Sequence, residues 1–175
     1  MKNAAFVAIG ILLLLLQGSL YRLLGLLHIN GITPSLVLPL VIFLGVHEHA
    51  MARGALLSAG LGYALDLLAS APIGLFTFVS VAIWWLSRIA GVRLTAQTAL
   101  PRMSLAFGFS LVESAIILTL LAIFGSDTRR PVEIGKIVLP HAISTALFAP
   151  IVFKLAQRLY QSSAPVHTAQ ETPAT

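Results

Sequence analysis

The chain has 175 residues, of which 58% are hydrophobic and 10% charged, and its mean hydropathy of +0.95 predicts a membrane-embedded protein rather than a water-soluble globule. The absence of cysteine excludes disulfides, thiol catalysis and cysteine-ligated metal sites. The net charge of +5 comes from lysines and arginines scattered singly along the chain, without the basic cluster that nucleic-acid binding requires.

Six apolar segments follow one another and predict an all-α, polytopic protein with six transmembrane helices. The first segment is interpreted as a retained helix, because its apolar stretch continues past Ser19 and no signal-peptidase site follows. The second segment opens at Pro34, since proline suits a first helical turn. The second and third segments are short, so they form either two membrane crossings or a re-entrant hairpin. The segments cover residues 4–24, 34–46, 52–69, 75–89, 101–124 and 134–159. Residues 1–160 are thus one transmembrane domain, and residues 161–175, rich in Ser, Thr, Ala and Pro, are expected to be a disordered cytoplasmic tail.

The distribution of positive charge predicts the orientation. With the N-terminus in the cytoplasm, seven Lys or Arg residues lie at inner segment ends and four at outer ends, so both termini are expected inside. Residues 91–100 are then cytoplasmic and residues 127–136 extracytoplasmic. The inner set is Lys2, Arg53, Arg88, Arg93, Arg102, Lys154 and Arg158, and the outer set is Arg22, Arg129, Arg130 and Lys136.

Asp66 is an acid near the outer end of the third segment. Gly54, Ser58 and Gly62 precede it at intervals of four residues, so a stripe of small residues leads along one helix face to the carboxylate. An ionised carboxylate is costly in hydrocarbon, so Asp66 is expected to accept hydrogen bonds from backbone amides of residues 70–74. A partner or ligand contact and a proton relay are the alternatives.

Glu113 and His141 are polar residues near the middle of the fifth segment and early in the sixth. They are interpreted as making interhelical structural bonds, which can include a bond to each other, although the sequence does not show that they are adjacent; transport, ligand coordination and catalysis are the alternatives. His47, Glu48 and His49 lack the His-Glu-x-x-His spacing of a zinc site and are interpreted as a polar turn. The sequence contains no recognisable nucleophile–base pair or cluster of metal ligands, so it predicts no enzyme activity, no cofactor and no metal.

Residues 34–74 resemble the rod shape-determining protein MreD family of bacteria. The resemblance rests on a proline-led second helix, an Arg-Gly entry to the third, a glycine-rich third helix ending in Asp-Leu-Leu, and a following Pro-x-Gly-Leu. In this chain those elements are Pro34-Ser35-Leu36-Val37, Ala52-Arg53-Gly54, Gly60-x-Gly62-x-x-x-Asp66-Leu67-Leu68 and Pro72-Ile73-Gly74-Leu75.

The resemblance implies a non-catalytic scaffold subunit of the cell-elongation machinery in the bacterial inner membrane. Such a subunit contacts membrane lipid, binds an MreC-like bitopic protein and links cytoplasmic MreB filaments to peptidoglycan synthases; the sequence also admits a homodimer. The small-residue stripe is expected to be a groove for a partner's transmembrane helix or an internal packing face. The structural or partner-binding residues are then Pro34, Arg53, Gly54, Ser58, Gly62, Asp66, Pro72 and Gly74.

A second interpretation is the substrate-binding membrane subunit of an energy-coupling-factor vitamin transporter. Such subunits have six helices and a similar size, and Ala4 and Ala8 match the small-residue pair that docks them to the transporter module. The short connection between the third and fourth segments leaves little room for a vitamin pocket. An intramembrane lipid enzyme is the third alternative.

Overall fold

The computed structural model describes residues 2–26, 34–48, 50–69, 72–90, 99–124 and 131–162. These residues contain six α-helices and no strand, so the predicted all-α class is confirmed for them. The helices are α1 (Lys2–Leu26), α2 (Val37–His47), α3 (Met51–Ala69), α4 (Leu75–Ile89), α5 (Ala99–Phe124) and α6 (Pro131–Ser162).

Helices α2 and α6 each begin three residues away from the predicted start. Helix α2 begins at Val37, so the prediction that Pro34 lies in its first turn is wrong. Helix α6 begins at Pro131, within the loop predicted for residues 127–136, because proline suits a first helical turn. The helix also continues to Ser162, two residues into the predicted tail. The rest of that tail, from residue 163, and the predicted cytoplasmic connection at residues 91–98 lie outside the described residues.

Two of the described helices contain stretches long and apolar enough to cross a membrane, Leu100–Ile123 in α5 and Ile137–Tyr160 in α6. The apolar stretches Phe6–Leu20, Val37–His47 and Leu75–Ile89 are shorter than a full span. Length and composition therefore support membrane crossing by α5 and α6, and the predicted six crossings go beyond this observation.

Helix α2 is the core of the protein. It contacts each of the other five helices, and every residue from Val37 to Gly45 is buried. A helix that is apolar on all sides is expected to be enclosed by others. Its 11 residues extend about 16 Å, roughly half the thickness of a bilayer's hydrocarbon core.

Side-chain contacts place the end of α2, the beginning of α3 and the ends of α4 and α6 on the same side of the bundle. Arg53, in the first turn of α3, pairs with Glu48 just after α2, at 3.6 Å between Nη1 and Oε1. Arg88, near the end of α4, donates to the Glu48 carbonyl at 2.7 Å, and the Tyr160 hydroxyl of α6 donates to the His47 carbonyl at 3.4 Å. Most of the described inner-set cations therefore lie at one end of the bundle, called the basic end below: Arg53, Arg88, Arg102, Lys154 and Arg158.

Candidate functional site

The Asp66 carboxylate joins the end of α3 to the beginning of α4. It is 2% exposed and accepts hydrogen bonds from the backbone amides of Gly74 (3.0 Å), Phe76 (2.8 Å) and Thr77 (3.1 Å). The Thr77 hydroxyl donates a fourth bond at 2.6 Å. The first amides of a helix have no partner within the helix, so an acid from a neighbouring helix caps α4 here.

The predicted role of Asp66 in the turn is confirmed at Gly74. The other donors lie in the first turn of α4, beyond the predicted residues 70–74. Gly74 has a φ of +100°, a left-handed conformation that glycine adopts without strain. This conformation turns the chain so that the first amides of α4 point at the Asp66 oxygens.

The small-residue stripe of α3 is covered by α4. A Cβ atom on Gly62 would lie 2.5 Å from the Phe76 carbonyl oxygen and 2.6 Å from the Thr77 Cα, and a Cβ on Gly54 would lie 2.6 Å from Trp84 Nε1. Ser58, between the two glycines, is completely buried. The hypothesis that this stripe is a groove for a partner's helix is therefore wrong. The short connection returns α4 alongside α3, and the small side chains let the two backbones approach closely.

The remaining residues of the family motif lie at both ends of this hairpin. Pro72 and Gly74 are exposed in the turn, where the Pro72 carbonyl accepts a bond from the Leu75 amide at 3.1 Å. Arg53 lies at the other end of α3, at the basic end, with its side chain 45% exposed. Pro34 is buried just before α2, away from the turn. The structure thus unites most of the motif in the α3–α4 hairpin and leaves Pro34 apart from it.

Side chains from two other helices cap the N-terminus of α2. The Ser35 amide donates to Thr145 Oγ1 at 2.9 Å, and the Leu36 amide donates to Gln17 Oε1 at 3.0 Å. Leu36, the residue immediately before α2, makes no capping bond with its own side chain. Sequence reasoning missed both roles. The signal for Gln17 was a single amide that interrupts the apolar run of α1.

Glu113 and His141 meet between α5 and α6, which is one of the arrangements that the sequence left open. Glu113 Oε2 lies 3.9 Å from His141 Nε2, which is within ion-pair range and too long for a direct hydrogen bond. Glu113 Oε2 and the hydroxyl of Ser110, one turn earlier on α5, are both buried without a hydrogen-bond partner among the described residues. Glu113 Oε2 and Ser110 Oγ therefore offer acceptor capacity inside the bundle.

The structure shows no group of three metal-binding side chains within the described residues. His47 stacks on Phe43, with ring centroids 4.1 Å apart, and its Nδ1 lies 3.3 Å from the Phe43 carbonyl oxygen. His49 lies outside the described residues. The interpretation of His47 and Glu48 as part of a polar turn agrees with their positions at the end of α2.

Comparison of the chain with protein-family models, with curated proteins and with solved structures finds no match. The resemblance of residues 34–74 to the MreD family therefore stays a prediction, and the function is inferred from the geometry.

Proposed function

We propose that this protein is a non-catalytic scaffold subunit of the bacterial cell-elongation machinery that holds an MreC-like bitopic protein in the inner membrane. The observation that carries the proposal is the α3–α4 hairpin. Gly54, Gly62, Asp66 and Gly74 belong to the motif behind the resemblance, and all four contribute to this hairpin. A scaffold needs a fixed surface, and close packing with a capped helix start gives this region one stable arrangement.

The proposed membrane arrangement has six helices, with both termini in the cytoplasm. The basic end supports this orientation, because positively charged residues favour the cytoplasmic side. Helices α5 and α6 supply the full-length spans, and α2 reaches through about half of the bilayer. A half-length helix is tolerated inside a membrane because Thr145 and Gln17 bond the amides at its buried start.

In this arrangement the partner's transmembrane helix binds an outward-facing helix surface, since the small-residue stripe of α3 is occupied by α4. Helix α1 has such a surface. Leu12, Leu15 and Leu16 are 59%, 61% and 52% exposed, whereas Phe6, Leu13 and Leu14 of the same helix are buried. MreB and the peptidoglycan synthases join the complex through this partner.

The proposal is tested by purifying the tagged protein from bacterial membranes and depleting it in the same cells. We expect an MreC-like bitopic protein to copurify in near-equal amount, and the depleted cells to become round. Copurification with an ATPase module instead of a bitopic protein, with cell shape unchanged, would contradict the scaffold function.

The unpartnered oxygens of Glu113 and Ser110 favour a second candidate, a substrate-binding subunit of a vitamin transporter. The two atoms lie one turn apart on α5, and a ligand between them could supply the missing hydrogen bonds. This candidate predicts that a small molecule copurifies with the protein and is lost on Glu113→Gln, whereas the scaffold function predicts that partner binding survives this change.

A further inference from the structure

One face of α6 combines exposed apolar residues with two exposed cations. Leu139, Ile143, Leu147 and Ile151 are spaced four residues apart and are 56–63% exposed. Lys154 and Arg158 continue the same row at intervals of three and four residues. Because residues at these intervals lie on one side of a helix, the six side chains form a single strip, called the α6 strip below.

The dimensions of the α6 strip match one leaflet of a bilayer. Leu139 and Ile151 are twelve residues apart, about 18 Å along the helix axis, and half of a hydrocarbon core is roughly 15 Å thick. The cations follow directly after the apolar part, at the end of a helix long enough to cross the membrane. In an α6 that crosses the membrane, these charges would lie at the level of the phospholipid headgroups.

No acidic side chain neutralises these cations in the described part of the chain. Lys154 and Arg158 are exposed and make no hydrogen bond or ion pair with any described residue. Gln157 lies on the same turn of α6, and its Oε1 accepts a bond from Arg102 Nη2 at 3.2 Å. Arg102 is buried beneath this turn and adds a third positive charge to the same end of the α5–α6 pair.

We propose that the α6 strip binds an anionic phospholipid. The lipid phosphate contacts Lys154 and Arg158, and an acyl chain lies along Leu139, Ile143, Leu147 and Ile151. A soluble acidic protein would pair only with the two cations, whereas an anionic phospholipid contacts the cations and the apolar residues together. Because the apolar row continues directly into the cations, the strip favours the lipid. The inference requires that α6 crosses the membrane, and it is independent of the proposed elongation partner.

The test measures lipid binding to the full-length protein purified in neutral detergent. Phosphatidylglycerol or phosphatidylcholine is added to the micelles, and bound lipid is counted by native mass spectrometry. We expect phosphatidylglycerol to bind more tightly than phosphatidylcholine. Each juxtamembrane cation contributes about fivefold to the affinity for an anionic surface, so Lys154→Gln with Arg158→Gln is expected to weaken phosphatidylglycerol binding by about 25-fold.

Two control variants separate this site from general charge and folding effects. Arg22→Gln removes an exposed cation of α1 at the other end of the bundle and is expected to leave binding unchanged. Lys154→Arg with Arg158→Lys keeps both charges and is expected to preserve binding. Equal loss in Arg22→Gln, or no loss in the Lys154/Arg158 double variant, would overturn the proposal.

Soluble ligands distinguish the sources of negative charge. Glycerol phosphate, the headgroup without its chains, is expected not to displace the lipid at equal concentration, because the apolar part of the strip contributes to binding. Displacement at equal concentration would assign the site to free phosphate groups, and binding of an acidic peptide in place of phosphatidylglycerol would assign it to a protein partner. Either result would overturn the lipid assignment without bearing on copurification of the MreC-like protein.

Discussion

Asp66 and Thr77, eleven residues apart on successive helices, are joined by two hydrogen bonds to the same carboxylate oxygen, one from the Thr77 amide at 3.1 Å and one from its hydroxyl at 2.6 Å. Bonds from Gly74 and Phe76 complete the capping of α4. This junction fixes where α4 begins and how it lies against α3. The stability of the hairpin therefore depends on an acid that sequence patterning alone left open to several roles.

Replacing Asp66 by Asn is expected to lower the free energy of unfolding by about 1–3 kcal/mol, because one acceptor oxygen is lost and an amide group faces backbone donors. Thr77→Val removes only the hydroxyl bond and is expected to cost about 1 kcal/mol. Thermal unfolding of the two variants in the same detergent measures both effects. Equal melting temperatures for Asp66→Asn and the unmodified protein would show that the capping bonds contribute nothing to stability.

Gly62→Leu is expected to destabilise the protein strongly, because even its Cβ would collide with the α4 backbone at Phe76 and Thr77. Gly60→Ala is the matched control, since the space around Gly60 is open and alanine favours a helix by about 1 kcal/mol over glycine. Membrane abundance and melting temperature should fall for Gly62→Leu and hold or rise for Gly60→Ala. Normal abundance of Gly62→Leu with selective loss of partner binding would restore the groove hypothesis.

Thr145→Val is expected to lower the free energy of unfolding by about 1–3 kcal/mol, because it leaves the buried Ser35 amide without an acceptor. Thr119→Val is the control on α5. Its hydroxyl is exposed and bonds the Ala115 carbonyl of its own helix, so its loss should be close to neutral. The difference between the two melting temperatures measures the contribution of the α2 cap. Equal melting temperatures would indicate that another group accepts the Ser35 amide bond in place of Thr145.

Glu113→Gln is expected to raise the free energy of unfolding by about 1 kcal/mol, in contrast to Asp66→Asn. One Glu113 oxygen is buried without a hydrogen-bond partner among the described residues, and a neutral amide avoids part of the roughly 2.5–3.5 kcal/mol cost of an acid at the centre of a membrane helix. Thermal unfolding measures the change. A loss of stability as large as that of Asp66→Asn would mean that a further group stabilises the Glu113 carboxylate.

The proposed orientation is checked with single cysteines, since the natural chain has none. Ala52→Cys and Ile73→Cys place exposed thiols at opposite ends of α3. In intact cells, an impermeant thiol reagent is expected to label the Ile73 variant and leave the Ala52 variant unlabelled until the membrane is opened. The reverse pattern would place the termini outside, and equal labelling would argue against α3 as a crossing.

The sequence by itself determined the helical class and the six helices, because long apolar runs separated by Pro, Gly and charged residues allow little else. It also favoured a role for Asp66 in the following turn, because a buried acid requires polar partners. The contact between Glu113 and His141 was decided by the tertiary structure, because spacing along the chain does not show which residues of two helices are adjacent.

Only the tertiary structure decided which surfaces are free. A stripe such as Gly54, Ser58 and Gly62 permits close approach of any helix, and its spacing carries no information on whether that helix belongs to the same chain. In the folded protein, α4 packs against this stripe. The fold also placed Gln17 and Thr145, 128 residues apart in the sequence, at the start of α2, where a buried helix needs acceptors for the amides at its N-terminus. Such contacts depend on how helices pack across the bundle, which residue spacing along one helix does not specify.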